Sequence, residues 1–494
     1  MERLEDYFAP FREQIVGYHQ TFKGPYGEKR IVYADWTASG RLYTPIERKL
    51  TTTFGPFVGN THSESSITGM AMTQAYHLAH SLIKQHVNAG PDDVIITAGF
   101  GMTTVINKFQ RILGLRLAEQ LQPFCSIPDH ARPIVIITHM EHHSNQTSWL
   151  ETVADVECME PDEQGLVNLD HLRQLLERYQ DRPLKIGSFT ACSNVTGIRT
   201  PYHQMAKIMH EYGGYCFVDF AASAPYVAID MHPADSMEKL DAIFFSPHKF
   251  LGGPGSSGVL IFDSALYKNK VPDRPGGGTV NWTNPWKQHS FISNIEARED
   301  GGTPGFLQAI RTALAIRLKE QMTVERMLAR EEELLPRLFK GLREIPGLHI
   351  LADHIEERLG IISFYVDNIH YNLLVKLLND RFGIQTRGGC SCAGTYGHYL
   401  LHVDQYRSQQ ITSKIDQGDL SEKPGWVRVS IHPTSTTEEV DYIVEAVRET
   451  VKHIKVWEQD YRYSPHTNEF HHLRGDAGEL HAIQEWFKLE AFAG

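Results

Sequence analysis

The sequence has no apolar run long enough to cross a membrane, and it has little positive charge. No uninterrupted apolar stretch approaches the roughly 18–20 residues that a transmembrane helix needs, so we expect no membrane association. Lys and Arg total 48 against 60 Asp and Glu, a formal net charge of −12. Proteins that bind a phosphate backbone carry basic patches instead, so nucleic acid is not an expected partner.

Cysteine is also sparse, and the first residues do not resemble a secretion signal. Six Cys in 494 residues are too few for a disulfide framework. Residues 1–7 carry charges of both signs and lack an apolar core, which favours a cytoplasmic location. Apolar residues make up 41% of the chain, which is enough for two or three folding units.

Short apolar runs alternate with amphipathic stretches between about residues 30 and 300. Strands are predicted at 93–97, 133–138, 184–189, 215–220, 241–246 and 258–262. Helices are predicted between some of them, at 169–179 and 202–212. This alternation predicts an α/β fold with a mostly parallel central sheet.

The apolar period changes after Gly301–Pro304. Leu307, Ile310, Leu314 and Leu318 recur at three- and four-residue steps, which predicts a long helix with one buried face. A smaller α/β unit is predicted to follow, with strands at 361–366 and 426–431, a helix at 372–382, and a last helix opened by a capping box at 435–439.

These patterns predict an organisation in four parts. The predicted parts are an N-terminal arm at 1–30, a large domain at 31–305, a connecting helix with a small C-terminal domain at 306–460, and a C-terminal extension at 461–494. Pro, His, Gly and Asp interrupt any period in the extension, so no element or function is predicted there.

The strongest local signal is a lysine at the end of a predicted buried strand. Lys249 follows the strand at 241–246 and precedes a glycine-rich turn at 252–258. Ligands of open α/β sheets lie beyond the carboxyl ends of the strands, and restricted access to water lowers a lysine pKa and suits it to imine chemistry. Glycines in the turn would let the backbone approach a phosphate. Taken alone, Lys249 is equally compatible with an ordinary surface lysine.

A carboxylate accompanies this lysine. Asp219 ends the preceding predicted strand, one strand–helix–strand excursion before Lys249. Two neighbouring strands would therefore bring a carboxylate and an amine to the same sheet edge. Pyridoxal 5′-phosphate (PLP) needs such a pair, because an amine holds its C4′ carbon and a carboxylate keeps its pyridine nitrogen protonated.

Two further segments fit the same cofactor. In residues 139–145, which follow the strand at 133–138, an imidazole could lie flat on a pyridine ring. Adjacent histidines also occur in metal sites, but no further ligand with metal spacing accompanies these, so no metal is predicted. The turn at 97–104 is rich in Gly and Thr and precedes a helix, whose first N–H groups would form an anion site.

Together these segments resemble the class V aminotransferase family, most closely its cysteine desulfurase and selenocysteine lyase branch. The resemblance extends from about residue 33 to 451 and rests on motifs at 101–103, 141–145, 193–197, 219, 246–249 and 387–392. It implies the PLP-dependent transferase fold of fold type I. In that fold, helices sandwich the central sheet of a large domain, and a smaller C-terminal α/β domain follows.

The resemblance also implies roles for the matching residues. Lys249 would be the Schiff-base lysine, Asp219 the partner of the pyridine nitrogen, and His142 the residue stacked on the ring. Asn194 would lie near the phenolic oxygen of the cofactor. The implied phosphate ligands are Gly101, Met102, Thr103, Ser246 and His248, with Thr279 reaching the phosphate of the neighbouring subunit in a homodimer.

One position departs from the desulfurase pattern. Three residues after the aspartate the pattern has a glutamine that contacts the cofactor oxygen, whereas this chain has Ala222, followed by Ser223. The missing amide removes a donor that tunes imine acidity. Ser223 is a candidate to replace it.

The segment from Arg387 to Gly394 indicates the substrate and the reaction. Arg387 suits a bidentate grip on an amino-acid carboxylate, although it is also compatible with a solvated surface arginine. Cys392 lies at the offset of the desulfurase nucleophile. The implied reaction converts L-cysteine to alanine: Lys249 removes the Cα proton and the Cys392 thiolate takes the sulfur as a persulfide. A sulfur-acceptor protein would then be a possible partner.

Cys390 and two other functions remain as alternatives. Residues i and i+2 of an extended chain point the same way, so Cys390 could relay the persulfide or be the nucleophile itself, while the offset from Arg387 favours Cys392. One alternative function is an aminotransferase, epimerase or C–S lyase with non-catalytic thiols. The other is a non-catalytic sulfur carrier or regulatory module of the same fold.

Overall fold

Helices and strands alternate along most of the chain in a computed structural model, which describes residues 3–61, 64–475 and 483–489. The α-helices are α1 Leu4–Arg12, α2 Thr44–Lys49, α3 Ile67–His86, α4 Met102–Ile112, α5 His143–Leu150, α6 Leu169–Arg178, α7 Tyr202–Glu211, α8 Ile295–Glu299, α9 Phe306–Met322, α10 Val324–Arg343, α11 Tyr371–Phe382, α12 Gly394–Leu400, α13 Gln405–Asp416 and α14 Thr437–Trp457. The strands are β1 Thr21–Gly24, β2 Gly27–Arg30, β3 Val32–Tyr33, β4 Asp93–Ala98, β5 Ile134–Ile137, β6 Asp155–Cys158, β7 Lys185–Thr190, β8 Tyr215–Asp219, β9 Ala242–Phe245, β10 Gly258–Asp263, β11 Val280–Thr283, β12 His289–Phe291, β13 Leu348–Ile350, β14 Ile361–Val366, β15 Ile384–Gln385, β16 Arg387–Gly389, β17 Trp426–Ser430, β18 Tyr461–Ser464 and β19 Glu469–His472. None of the described helices combines the length and the hydropathy that crossing a bilayer requires.

A seven-stranded sheet lies at the centre of the molecule, in the order β4-β10-β9-β8-β7-β5-β6. The strands from β9 to β6 pair in parallel, while β10 is antiparallel to both β9 and β4. The predicted α/β fold with a mostly parallel central sheet is therefore confirmed. The sequence prediction missed β6, because its acidic and apolar residues alternate and it lies half-buried at the sheet edge.

Apolar side chains cover both faces of this sheet. In β10, Val259 and Ile261 belong to one buried cluster, and Leu260 and Phe262 belong to another. Successive side chains of a strand point to opposite faces, so a continuous apolar run is what a strand buried on both sides requires. Helices α4 and α5 contribute to one cluster, and α6 and α7 to the other. With both faces covered, the strand ends remain accessible to a ligand.

A second sheet, β13-β14-β17-β16, is antiparallel and has its own apolar cluster. Strands β14 and β17 and helix α11 lie where the sequence predicts them. Helix α14 begins with the predicted capping box: Thr436 Oγ1 accepts a hydrogen bond from Glu439 N at 3.0 Å, and Glu439 Oε2 accepts one from Thr436 N at 3.1 Å. This sheet presents the 387–392 segment to the end of the central sheet.

One prediction after residue 304 is confirmed and one element was not predicted. The long helix predicted from Leu307, Ile310, Leu314 and Leu318 is α9, and it ends at Thr323, whose positive φ of 55° interrupts the helical hydrogen bonding before α10 begins. The extension after residue 461, for which no element is predicted, begins with the hairpin β18–β19. Its strands are mostly polar, and the hairpin is held by the burial of Tyr461 against Leu377 and Ile454.

The segment after the first hairpin connects the two sheets. Strand β3 pairs in parallel with β15, and Val32 and Ala34 lie in the apolar cluster of the second sheet. Asp35 then forms a β-bridge with Ser430 at the end of β17. The chain therefore carries Asp35 and the residues after it to the place where the two sheets meet.

Candidate active site

A cavity of about 250 Å³ opens beyond the carboxyl ends of β8 and β9. Most of the predicted site residues line it: Gly101, Met102, Thr103, His142, Asn194, Asp219, Ser246, His248, Lys249, Arg387 and Cys392. Cys390 and Thr279 do not. The cavity lies where open α/β sheets bind their ligands, because loops diverge beyond the strand ends and leave a crevice there.

Asp219 and Lys249 face this cavity from neighbouring parallel strands. Asp219 is the last residue of β8, and Lys249 closes the turn after β9. Burial lowers the pKa of Lys249 to about 8, and the charge of Asp219 opposes this shift. Burial raises the pKa of Asp219 to about 6, opposed by the hydrogen bond from Ala221 N and by Lys249. The pair gives the cavity an amine and a carboxylate that both titrate near neutral pH.

His142 lies on the cavity wall as a neutral imidazole. It precedes α5, and its Nδ1 accepts a hydrogen bond from Ser144 N at 3.1 Å. Burial, followed by the charge of Lys249, lowers its pKa to about 3. With Nδ1 acting as an acceptor, the ring proton of the neutral form resides on Nε2.

Glu141 fixes the turn that carries His142. Its Oε1 accepts hydrogen bonds from Thr138 Oγ1 at 2.7 Å and Thr190 N at 2.9 Å, and its Oε2 accepts one from Asn145 Nδ2 at 2.7 Å. Burial raises the pKa of Glu141 to about 7, and these donors oppose the shift. The side chain therefore links β5, α5 and β7 beneath the cavity.

The start of α4 contributes backbone and hydroxyl donors. Ser246 Oγ accepts a hydrogen bond from Met102 N at 2.9 Å, and the hydroxyl groups of Thr103 and Ser144 lie 2.6 Å apart. A Cβ atom on Gly101 would lie 3.1 Å from Ser246 Oγ, which is tighter than most carbon contacts. The Met102 N–H is satisfied by Ser246, and the hydroxyls of Thr103, Ser144 and Ser246 form a cup of O–H donors at the positive end of a helix.

The glycines after Lys249 have a different role from the one that the sequence suggests. Gly252 and Gly253 do not line the cavity. A Cβ atom on Gly253 would lie 1.8 Å from the carbonyl oxygen of Pro247, and Gly252 has φ 79°. The expectation that they admit a phosphate is wrong. They allow the turn bearing Lys249 to fold back on itself.

Two arginines and one carboxylate form another wall. Asp35 Oδ2 accepts a hydrogen bond from Arg387 Nε at 3.0 Å, and Asp35 Oδ1 accepts one from Arg428 Nη2 at 2.9 Å. Arg428 Nη1 also donates to Asn194 O at 3.0 Å. Within the described residues, the terminal nitrogens of Arg387 have no hydrogen-bond partner, and 51% of its side chain is exposed. Its outer edge is therefore free to meet an anion.

The segment bearing Cys392 is attached to the same wall. His143 N donates to Cys392 O at 2.8 Å, Gly394 N donates to His143 Nε2 at 2.9 Å, and Asn194 Nδ2 donates to Ser391 O at 2.7 Å. Cys392 itself is exposed. These backbone contacts hold the thiol at the cavity while leaving it open to solvent.

Cys390 does not reach the cavity. Ser391 and Cys392 have left-handed φ values of 51° and 57°, so the chain turns between the two cysteines. The expectation that they share one direction on an extended strand is wrong. Cys390 is half-buried and packs beside Trp426 and Tyr396.

Ala222 lines the cavity, but Ser223 does not. The Ser223 hydroxyl is buried without a hydrogen-bond partner among the described residues. The expectation that Ser223 compensates for the missing glutamine is not supported, because Ser223 does not line the cavity. Asn194 Oδ1, in contrast, is a buried acceptor of the cavity wall without a partner in the described chain.

Thr279 lies outside this cavity, in the loop before β11. Its hydroxyl donates to Gly276 O at 2.7 Å and accepts from Gly276 N at 3.2 Å. It is fully buried in the chain. Contact with a neighbouring subunit stays a prediction.

Sequence reasoning missed Asp35, Thr37, Ser144 and Arg428, which also line or anchor the cavity. Arg428 had a usable signal, because a charged residue in the middle of a buried apolar strand needs a partner. Asp35 had no such signal in the sequence, because its role depends on contacts with Arg387 and Arg428, which lie far along the chain. Among the described residues, no group of His, Cys, Asp and Glu side chains is arranged to hold a metal ion.

Comparison with known proteins gives consistent matches. Residues 32–443 match the family model described as Aminotransferase class-V. The cysteine desulfurase of Haloferax volcanii is 26% identical over 391 residues, covering 78% of this chain and 86% of that protein. The probable cysteine desulfurase of Staphylococcus epidermidis is 27% identical over 428 residues, covering 85% and 92%.

Solved structures show a similar fold. The apo cysteine desulfurase from Thermococcus onnurineus NA1 superposes with a TM-score of 0.69 at 20% identity, covering 90% of this chain and 98% of that one. The cysteine desulfurase CsdA from Escherichia coli, in an S-sulfonic acid form, gives a TM-score of 0.69 at 23% identity with the same coverage. At this identity the likeness shows the fold alone.

Proposed function

The chain belongs to the class-V aminotransferase family of PLP enzymes and has their type I fold, and from that premise we propose that it is a PLP-dependent cysteine desulfurase. The observation that carries the proposal is the position of Cys392, which lines the same cavity as Lys249 and Asp219. A thiol is thereby brought to an amine–carboxylate pair. The desulfurase names of the relatives support the same activity.

The groups around the cavity fit PLP. The carboxylate of Asp219 suits a pyridine nitrogen, the amine of Lys249 suits the aldehyde carbon, and the donor cup at Thr103 suits a phosphate. The unpartnered amide oxygen of Asn194 marks a further polar position for the ring substituents. Ser246 and His248 would complete the phosphate site, and His142 would flank the ring. When bound, PLP supplies an electron sink that stabilises negative charge at the Cα atom of an amino acid.

Lys249 is suited to move the proton at Cα. A general base works best when its pKa is near the working pH, and burial brings the pKa of this amine to about 8. His142, neutral because its pKa is about 3, would shape the cavity without adding charge. Lys249 would therefore take up the Cα proton and later return it.

Arg387 would bind the substrate carboxylate. Its Nε is held by Asp35, while its two terminal nitrogens are free. A guanidinium edge of this kind forms two parallel hydrogen bonds to a carboxylate. The contact would orient the amino acid with its side chain toward Cys392.

Cys392 would receive the sulfur. As a thiolate, its Sγ would form a bond to the substrate sulfur while the C–S bond of cysteine breaks with its electron pair on the carbon side. Cβ takes up the proton that the substrate thiol loses, Cα regains its proton from Lys249, and alanine leaves while the persulfide remains on Cys392. The exposure of this residue supports transfer onward to a sulfur-acceptor protein.

We also propose a homodimer. Phe100, beside the donor cup, is 79% exposed, and Trp282 and Trp286 on the β11–β12 hairpin are 50% and 78% exposed. Large exposed aromatic side chains are characteristic of association surfaces. A second copy would cover them and bring the loop of Thr279 toward the other subunit's phosphate site.

A second candidate is another reaction of the family: transamination, epimerisation or C–S elimination. Ala222 favours it, since a small apolar side chain lines the cavity where the desulfurase pattern has an amide. In that case the thiols would not react.

Incubation of the purified protein, loaded with PLP, with L-cysteine tests the proposal. We expect alanine, a persulfide on the peptide containing Cys392, and at least about 100-fold less alanine with Cys392→Ser. Cys390→Ser is the matched control and should retain activity. A keto acid, a D-amino acid or pyruvate would instead establish one of the other family reactions. No visible absorption band and no product would favour a non-catalytic module.

A further inference from the structure

The two arginines of the cavity wall are an unfavourable pair by themselves. Arg387 and Arg428 are direct cross-strand partners on β16 and β17. Like charges directly opposite each other destabilise a sheet, and Arg428 is only 3% exposed, so water cannot screen it. Such a pair persists only when a third group compensates part of the charge.

Asp35 is that group, and it comes from a distant part of the chain. Its Oδ2 lies 3.0 Å from Arg387 Nε, and its Oδ1 lies 2.9 Å from Arg428 Nη2. The residue is 9% exposed, and both guanidinium groups line the cavity. Arg428 Nη1 also donates a hydrogen bond to Asn194 O. Its Nε is buried without a partner in the described chain, so the exposed guanidinium edge that is open to a ligand is that of Arg387.

We infer that Asp35 is the specificity-determining residue that makes this cavity select amino acids with one anionic group over those with two. This rests on the proposed function, because it concerns the substrate of that site. A single carboxylate meets the free edge of Arg387. A second anionic group would meet an Arg428 whose charge Asp35 already compensates. The neutral thiol of cysteine satisfies this condition.

Asp35→Asn separates charge from geometry. The asparagine keeps the shape but removes the charge, so Arg387 loses part of its orientation and the cavity gains about one positive charge. A less well oriented Arg387 should lower the affinity of every anion by the same factor. The added positive charge should instead contribute about twice as much binding free energy for a dianion as for a monoanion. The ratio of the two affinities should therefore shift toward the dianion by about tenfold, whatever happens to each affinity alone.

Calorimetric titration of the PLP-loaded protein with propionate and with succinate measures this ratio. Wild type should prefer propionate, and Asp35→Asn should shift the ratio about tenfold toward succinate. Asp35→Glu keeps the charge and should keep the wild-type ratio. Asp441→Asn is the matched control, since Asp441 pairs with Arg337 far from the cavity on exposed helix surfaces, and it should also leave the ratio unchanged.

A double variant keeps the test decisive if Asp35→Asn does not fold. Removing Asp35 leaves Arg428 buried without its carboxylate, and Arg428→Met removes that problem. Adding Asp35→Asn to Arg428→Met should shift the ratio toward succinate by about the same tenfold. An unchanged ratio in folded protein would overturn the inference. Anion binding does not require turnover, so a protein that forms no alanine but shows this shift would refute only the desulfurase proposal.

Discussion

Gly258→Ala should weaken PLP binding, because it should displace the start of α4, which carries the donor cup proposed for the phosphate. Gly258 begins β10, and a Cβ atom there would lie 2.3 Å from the carbonyl oxygen of Gly101, whereas ordinary contacts begin at 3.4 Å. The Cβ atom is fixed to the backbone of β10, and the oxygen belongs to the backbone of Gly101. Neither can rotate away, so the start of α4 must move by about 1 Å. A shift of that size takes a donor of the cup, such as the Thr103 hydroxyl, out of hydrogen-bond range. One charge-assisted hydrogen bond contributes about 1.5–3 kcal/mol, so PLP should bind about 10- to 100-fold more weakly.

Titration of the apo protein with PLP, followed by visible absorption, measures the effect. Pyridoxal without the phosphate does not use the cup, so its affinity should stay at the wild-type value. Gly24→Ala is the matched control, because its Cβ would make only ordinary contacts at 3.5 and 3.6 Å, far from the cavity. Wild-type PLP affinity in a folded Gly258→Ala protein would refute the assignment of this cup to the phosphate.

Two further predictions concern buried lysines and are checked by thermal melting. Lys108 is 2% exposed, and its Nζ lies 2.6 Å from Glu299 Oε2. Lys108→Met should lower the free energy of unfolding by about 3–5 kcal/mol, because it leaves the buried carboxylate of Glu299 without its cation. A loss no larger than that of Lys340→Met, at an exposed lysine, would contradict this. Lys319 is 1% exposed and donates to Ala224 O at 2.7 Å, and burial lowers its pKa to about 7, below the roughly 10.4 of an unfolded chain. Between these pH values the unfolded chain holds a proton that the folded chain has released, so wild-type stability should rise with pH relative to Lys319→Met, by up to about 1.4 kcal/mol per pH unit. If the difference in the free energy of unfolding between wild type and Lys319→Met stays constant from pH 7 to 10, the hydrogen bonds keep Lys319 charged.

The central sheet and its ligand edge could be predicted because their signals are local. A buried parallel strand is a continuous apolar run, and β8 and β9 each end in such a run immediately before a polar residue. The order of Asp219 and Lys249 along the chain then places both at one edge, since consecutive parallel strands are usually neighbours. Strand β6 escaped prediction because it lies at the sheet edge, where water replaces part of the apolar packing.

Backbone conformation in turns could not be predicted from residue types alone. The left-handed φ values of Ser391 and Cys392 point Cys390 away from the cavity. Neither residue is a glycine, so the sequence carries no sign of them. They are imposed by contacts with His143 and Asn194, which lie about half the chain away.

By itself, the sequence determined the α/β fold and the family, and it predicted that the motifs at 101–103, 219, 246–249 and 387–392 bear the chemistry. Only the tertiary structure decided which of these groups meet and what charge surrounds them. The link between Asp35, Arg387 and Arg428 joins three segments whose proximity depends on how the second sheet packs against the first. Local patterns encode burial and hydrogen-bonding periodicity, whereas electrostatic compensation between distant segments exists only once the chain has folded.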